Sequence, residues 1–218
     1  MTARDDLSPL PGGDFDTWLG SMQTALEGSG ESDVPCGECA ACCTASQFVH
    51  IAPDEAGALA HIPAALLFTA PGLPAGHVLM GYDSRGHCPM LVDGACSIYA
   101  HRPRTCRTYD CRVFAAARVQ DPDPSKAAVA RRAIRWQFTY DGVDAERRHD
   151  AVAAAAAFLV RNEGLLPDDL APATATQLAV LAVVIHDCFL TADAASGEVR
   201  VCDPDPDVVR SEVVRRSA

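Results

Sequence analysis

The stretch CGECAACC, residues 36–43, places four cysteines within eight residues. The spacings Cys36-x-x-Cys39 and Cys39-x-x-Cys42 allow successive thiolates to face one centre, as in zinc knuckles and iron–sulfur loops. The glycine and the two alanines between the thiols let the backbone curl tightly. Adjacent side chains diverge on a regular helix or strand, so we expect only one of Cys42 and Cys43 to reach a given ion easily.

A second group of four cysteines lies in the segment CPMLVDGACSIYAHRPRTCRTYDC, residues 88–111. The dipeptide Asp93-Gly94 predicts the turn of a β-hairpin, which would bring Cys88 and Cys96 together. The last two cysteines of the segment are separated by about one helical turn. The two groups could hold two metal centres or share one. The candidate metal ligands are therefore eight residues: Cys36, Cys39, Cys42, Cys43, Cys88, Cys96, Cys106 and Cys111.

The overall composition limits the classes of partner. The chain has 218 residues and a formal net charge of -11, from 18 basic and 29 acidic residues. This negative charge disfavours non-specific binding to nucleic acid and to anionic membranes, because both carry the same sign. We therefore expect the partner, whose identity the sequence does not give, to be a protein or a small molecule.

The interpretation of the cysteines also depends on the cellular compartment. The first twenty residues are acidic and contain no apolar core of a secretory signal, and no stretch approaches the roughly 20 apolar residues of a membrane span. We therefore expect a cytoplasmic location. Disulfides are rare in that compartment, where clustered cysteines more often bind metal or carry out redox chemistry.

The pattern of apolar residues predicts three regions. Residues 1–30 form a lead-in with one helix, residues 31–115 form the cysteine-cluster metal-binding region, and residues 116–218 form a helical region that completes one compact domain. The predicted fold is mainly α with a small β-hairpin, in which a cysteine-rich, loop-heavy metal-binding portion packs on a helical half. Within the helical region, SKAAVARRAIRWQFTY (125–140) is predicted as helix and DPDPDVVRSEVVRRSA (203–218) as a polar tail.

The two cysteine segments together resemble the YkgJ-type cysteine-cluster family, the CxxCxxCC zinc- or iron-chelating domain. In that family a CxxCxxCC element precedes a CP…C-x-I-Y-x-x-R-P-x-x-C-R element. The resemblance covers roughly residues 36–112, about a third of the chain. It implies metal chelation, with an iron–sulfur cluster in at least some members, but no single reaction. The matching positions are Cys36, Cys39, Cys42, Cys43, Cys88, Pro89, Cys96, Ile98, Tyr99, Arg102, Pro103, Cys106 and Arg107.

Three functions remain open from the sequence. The first is a metal-binding protein that holds an iron–sulfur cluster (for example 4Fe–4S) or zinc, with a redox or Lewis-acid role. The second is a metal-dependent enzyme, because the flagellin lysine N-methylases carry a related cysteine cluster, although no glycine-rich S-adenosylmethionine loop is recognisable. The third is a structural zinc module for protein interaction. No catalytic residue can be assigned.

Several polar residues near or beyond the cysteines have two interpretations. The arginines among the second group are either exposed helix charges or hydrogen-bond donors to sulfur. The histidines lack metal-type spacing with one another, which favours surface or packing roles, and His87 is not needed as a ligand. The sequence His186-Asp187-Cys188 lies in an apolar segment, where a packing role is favoured over catalysis. The arginines are Arg102, Arg104, Arg107 and Arg112.

Overall fold

The structure is a computed structural model, and it describes residues 8–32, 34, 38–193 and 197–217. The backbone divides into two compact units. Unit 1 consists of Met1–Gln23, Cys111–Asp121 and Ala133–Ala218. Unit 2 consists of Thr24–Asp110 and Pro122–Arg132.

Helices and short strands are interspersed along the described residues. The strands are β1 (Leu10–Asp14), β2 (Val49–Ile51), β3 (Leu67–Thr69), β4 (Val78–Met80), β5 (Leu91–Val92), β6 (Ala95–Cys96), β7 (Trp136–Thr139), β8 (Leu190–Ala192) and β9 (Val199–Val201). The α-helices are α1 (Phe15–Leu26), α2 (Ala56–His61), α3 (Arg104–Thr108), α4 (Arg112–Ala117), α5 (Ala127–Ala133), α6 (Val143–Arg161), α7 (Ala175–Ile185) and α8 (Pro206–Ser217). The 3-10 turns are Cys42–Thr44, Ala64–Leu66, Tyr99–His101, Pro124–Lys126 and His186–Phe189.

Unit 1 is built mainly from helices. Helix α6 packs against α7, and α4 packs against both. Small alanines on α6 let the helices approach closely, while larger apolar side chains fill the space between them. Strand β1 pairs in parallel with β7, with Leu10 opposite Trp136. The core of this unit therefore consists mainly of apolar side chains such as Val152 and Phe189, and Arg112, His149 and His186 are buried with them.

Unit 2 contains an antiparallel sheet in the order β2-β4-β3. Val49 lies opposite Met80, which in turn lies opposite Leu67. Because side chains alternate between the two faces of a strand, Val49 and Ile51 both point to the same face. This face and the buried Ile98 belong to one hydrophobic cluster. The cluster is the core of unit 2.

The predicted hairpin of unit 2 is confirmed. Strands β5 and β6 pair antiparallel, with Leu91 opposite Cys96. The turn residues Asp93 and Gly94 have φ angles of 50° and 81°. Positive φ at both central positions is the geometry of a type I′ turn, whose twist matches that of the paired strands. The turn therefore sets the register that places Cys96 on its strand.

Two segments in the second half of the chain differ from their predicted structure. The helix predicted over 125–140 ends at Ala133, and Trp136–Thr139 is strand β7. Its aromatic residues favour a strand, and its partner β1 is far away in the sequence. The predicted polar tail is largely helix α8, because Val209 and Val213 recur at helical spacing and are buried.

The predicted predominance of helix over strand is confirmed, and the sheets are small and mostly antiparallel. The parallel pair β1–β7 and the three-stranded sheet make the fold a mixed α and β one. The boundaries 1–30, 31–115 and 116–218 remain predictions about domain organisation. In the part of the chain that the structure describes, no helix has the length and apolar character needed to cross a membrane.

Candidate metal centre

Three thiols of the second cysteine group border the hydrophobic cluster of unit 2. Cys88 precedes the hairpin, Cys96 lies on β6, and Cys106 lies on α3. Each side chain is half-buried and packs against the cluster. Helix α3 is held beside β2 by the Thr105 hydroxyl, which donates to the His50 carbonyl at 2.8 Å. Elements from three places in the sequence thus bring these thiols to one apolar surface.

The first cysteine group is joined to the second by backbone hydrogen bonds. The Cys88 amide donates to the Cys43 carbonyl at 2.7 Å, and the Ser46 amide donates to the Gly86 carbonyl at 2.9 Å. The Lys126 ammonium also donates to the Ser46 carbonyl, at 3.0 Å. These contacts fix the turn that carries Cys42 and Cys43 beside the start of the hairpin.

The five thiols brought together in this way influence one another electrostatically. Burial raises the pKa of Cys106 to about 12, and the negative charges of Cys42, Cys88 and Cys96 add to this effect. Burial also raises the pKa of Cys88, with further contributions from Cys96 and Cys42. The hydrogen bond with Cys42 is the main cause that raises the pKa of Cys43. Each deprotonated thiol therefore opposes the ionisation of its neighbours.

The adjacent pair Cys42 and Cys43 differs from the expectation that their side chains diverge. Both lie on the 3-10 turn Cys42–Thr44, where the Cys43 thiol hydrogen-bonds to the Cys42 sulfur. This bond is the main cause that lowers the pKa of Cys42 to about 7. A single irregular turn lets neighbouring side chains rotate towards each other, unlike a regular helix or strand. The two thiols therefore contact each other, with Cys43 as the hydrogen-bond donor and Cys42 as the acceptor.

The structure does not test the remaining predicted ligands. Cys36 lies outside the described residues. Cys39 is half-buried in the loop before the 3-10 turn. Cys111 belongs to unit 1, where its sulfur accepts a hydrogen bond from the Trp136 indole nitrogen at 3.2 Å. Within the described ranges, no three His, Cys, Asp or Glu side chains form a group that could hold a metal ion. The eight-cysteine ligand set therefore stays a prediction.

The arginines of the second cysteine segment have different environments. The Arg102 guanidinium lies 3.7 Å from the centroid of the Tyr99 ring, and its charge helps to lower the pKa of Cys42. Arg104 forms an exposed ion pair with an aspartate, and Arg112, in unit 1, donates to a backbone carbonyl. Arg107 forms an ion pair through its terminal nitrogen, but its Nε atom is buried without a hydrogen-bond partner among the described residues.

Histidine pairs were not apparent from the sequence. In unit 2, Nε2 of His50 lies 2.8 Å from Nδ1 of His77, and the rings of His61 and His101 stack with centroids 3.7 Å apart. Each pair joins residues from separate segments, so no local spacing could reveal it. In unit 1, His186 is buried and its Nδ1 lies 2.7 Å from the Val183 carbonyl oxygen, in accord with a packing role.

Comparison with known proteins identifies the cysteine region. Residues 35–123 match the family model described as "CxxCxxCC: Putative zinc- or iron-chelating domain". This match includes both cysteine segments and confirms the resemblance seen in the sequence. Neither a curated protein nor a solved structure matches the chain. Over residues 35–123, the chain is therefore similar to the CxxCxxCC family, which is described as zinc- or iron-chelating.

Proposed function

We propose that this protein binds an iron–sulfur cluster through the cysteine thiolates of its CxxCxxCC domain and uses it in a redox or Lewis-acid role. The observation that carries the proposal is that five thiols of unit 2 act on one another electrostatically, three of them beside one hydrophobic cluster. Cys42 and Cys43 come from one segment, Cys88 and Cys96 from the hairpin, and Cys106 from α3. Their mutual effects on pKa indicate that the sulfurs lie within electrostatic reach of one another.

The protonation of these thiols supports a cationic centre. With raised pKa values, Cys43, Cys88 and Cys106 keep their protons at neutral pH when only protein groups surround them. A thiophilic metal removes this obstacle, because it replaces the protons and neutralises the charge of several thiolates at once. All-thiolate ligation suits both zinc and iron–sulfur clusters. The set of thiol donors therefore fits the zinc or iron that the family description names.

The buried Arg107 Nε atom would offer a hydrogen-bond donor to a metal-bound sulfur. An unpaired buried donor is costly, and this one follows Cys106 directly in the sequence. Cluster sulfides and their ligating thiolates accept N–H hydrogen bonds, and such bonds help to set the reduction potential. Arg102 would add positive charge, because it already acts on Cys42 and Cys106.

The residues of unit 2 would have distinct roles around this centre. Ligands would come from the cysteines of unit 2, with Cys42, Cys43, Cys88, Cys96 and Cys106 as the described members that act on one another electrostatically. The hydrophobic cluster beside them would exclude water from one side of the centre. When bound, an iron–sulfur cluster would supply one-electron transfer or an iron atom that acts as a Lewis acid.

Metal analysis of the full-length protein purified without oxygen tests the proposal. We expect a brown protein with broad absorbance near about 400 nm, and with iron and acid-labile sulfide in comparable amounts. A colourless protein that contains stoichiometric zinc would overturn the iron–sulfur proposal and support a zinc site. A protein that binds neither metal after reconstitution would overturn metal binding as its function.

Cysteine variants test which thiols are ligands. Cys106→Ala and Cys88→Ala should each lose most of the bound metal, whereas Cys202→Ala should retain it, because this thiol is exposed in unit 1. Cys39→Ala extends the test to the first motif, with the same loss expected. Full metal content in the Cys88 and Cys106 variants would show that the convergent thiols are not the essential ligands.

A further inference from the structure

A tyrosine and a histidine in unit 1 form a pair that the metal centre does not use. Tyr140 follows strand β7, and its hydroxyl lies 2.8 Å from Nδ1 of His149 on helix α6. The two residues differ in their access to solvent. Tyr140 is 41% exposed, whereas His149 is 7% exposed. The pair therefore joins an accessible hydroxyl to a buried imidazole.

The His149 ring is held in place on both sides. The Phe15 ring stacks on it with centroids 4.6 Å apart, and the Phe138 ring contacts it edge-on. Its Nε2 atom lies 3.4 Å from the Ala115 carbonyl oxygen. A carbonyl only accepts hydrogen bonds, so this contact assigns the proton to Nε2 and leaves the lone pair on Nδ1. The Tyr140 hydroxyl then donates to Nδ1.

This arrangement is that of a nucleophile with its base. A hydroxyl becomes nucleophilic when a neighbouring base takes its proton, and the base works best when a third group fixes its orientation. Tyr140 supplies the hydroxyl, His149 the base, and the Ala115 carbonyl the third group. Burial lowers the pKa of His149, which keeps the imidazole neutral at neutral pH, with the Nδ1 lone pair as the acceptor for the Tyr140 hydroxyl.

The charges around the pair indicate which electrophile it would accept. Burial raises the pKa of Tyr140, and the carboxylates of Glu146 and Asp150 on α6 raise it further. Arg118 after α4 has the opposite effect on this pKa and forms an ion pair with Asp150 at 2.6 Å. Two carboxylates, together with one guanidinium that is already paired with a carboxylate, disfavour the binding of a phosphate dianion. The exposed Val143 begins α6 three residues after Tyr140, and it adds apolar surface. A neutral acyl ester fits this environment better.

We propose that Tyr140 is an acyl-accepting nucleophile that His149 activates as a general base. The Tyr140 oxygen attacks the carbonyl carbon of an activated ester, and its proton passes to Nδ1 of His149. The bond between the carbonyl carbon and the leaving oxygen breaks, and the leaving group departs with the electron pair. The products are O-acyl-Tyr140, an imidazolium and the alcoholate, so atoms and charges balance. All the residues involved belong to unit 1, and the proposal is independent of the metal centre.

The full-length wild-type protein contains its own control for this proposal. Tyr82 is 43% exposed, close to the value for Tyr140, but its ring neighbour is Phe48. The protein is treated with p-nitrophenyl acetate at neutral pH, and acetylation of each tyrosine is followed by peptide mass spectrometry. General-base assistance contributes about 100-fold or more, so Tyr140 should react much faster than Tyr82. An advantage of tenfold or more supports the proposal, and a smaller one overturns it.

Substitution of the base separates activation from simple exposure. In His149→Gln, and in the ring-retaining His149→Phe, the rate ratio of Tyr140 to Tyr82 should fall to near one. Thermal unfolding followed by circular dichroism identifies which variants are folded. A folded variant whose ratio equals that of the wild type would show that His149 is not the base. If neither variant folds, the wild-type ratio alone decides the proposal.

Discussion

The two units contain cores of different chemistry. The core of unit 1 is mainly apolar, and side chains such as Val183 and Phe189 are fully buried among its helices. Unit 2 has a smaller apolar cluster around Ile51 and Met80, and half-buried thiols form part of its border. Buried apolar area stabilises a fold by itself, whereas thiols at a core border add stability mainly through the metal they bind. We therefore expect unit 2, but not unit 1, to depend on its metal.

Metal removal should have the largest effect, and it should separate the two units. Structural zinc contributes apparent binding energies of about 10–16 kcal/mol in small domains, and we expect an effect of several kcal/mol in unit 2. After anaerobic chelation, amide hydrogen exchange should accelerate strongly in the hairpin β5–β6 and in α3. Exchange in α6 and α7 should change little. Equal acceleration of exchange in both units would contradict the expectation that only unit 2 depends on the metal.

Truncation of an aromatic side chain in the core of unit 1 should lower the free energy of unfolding nearly as much as metal removal does, without loss of the metal. Phe189 is 0% exposed, and its ring packs edge-on against Phe158 at a centroid distance of 5.4 Å. Phe189→Ala should lower the free energy of unfolding by about 3–5 kcal/mol in denaturant titration. Val160→Ala, at a residue that is 63% exposed on α6, should change it by less than about 0.5 kcal/mol. Loss of metal from the Phe189 variant would contradict the proposed independence of unit 1.

Acidification should weaken unit 1 through His149. Burial lowers the pKa of this histidine in the folded protein below its ordinary value of 6.5, so the unfolded chain binds the proton more readily. Its contribution is fully present above pH 6.5 and is lost as the pH falls through the folded-state pKa. The melting temperature should therefore fall less on acidification in His149→Phe than in the wild type. Equal slopes in the two proteins would show that His149 is not responsible.

Two glycines offer the smallest and best matched test. Gly94 in unit 2 and Gly164 in unit 1 have φ angles of 81° and 84°, and neither has an atom within 4 Å of an added Cβ. Alanine at either position should cost about 1 kcal/mol, because left-handed backbone is strained for any residue with a Cβ. Only Gly94→Ala should speed metal loss to a chelator, because its turn carries Cys96. Equal rates in both variants would exclude the turn as a support for the metal centre.

Much of the local structure could be predicted from the sequence. The Asp93-Gly94 turn and the two cysteine motifs follow from short-range patterns. Pairing between distant segments could not be predicted, because no local signal specifies the partner. Strand β7 needs β1, and the first motif meets Cys88 through a backbone hydrogen bond to the Cys43 carbonyl.

The candidate sites show the same limit. The candidate ligand type could be predicted from the sequence, because clustered cysteines often bind metal or carry out redox chemistry. The hydrogen bond between Cys42 and Cys43 was not, because it depends on an irregular turn. The contact of Tyr140 with His149 was missed for a related reason: neither residue belongs to a recognised motif, and the pairing arises only when β7 and α6 are folded.

The parallel pairing of β1 with β7 also affects the order in which the chain can fold during synthesis. Leu10 leaves the ribosome well before its partner Trp136 is made. Unit 1 therefore cannot close until Trp136 has emerged. The sheet, hairpin and α3 of unit 2 are complete by Thr108. Because domains fold as their residues become available, the convergent thiols can receive metal while the N-terminal strand still lacks its partner.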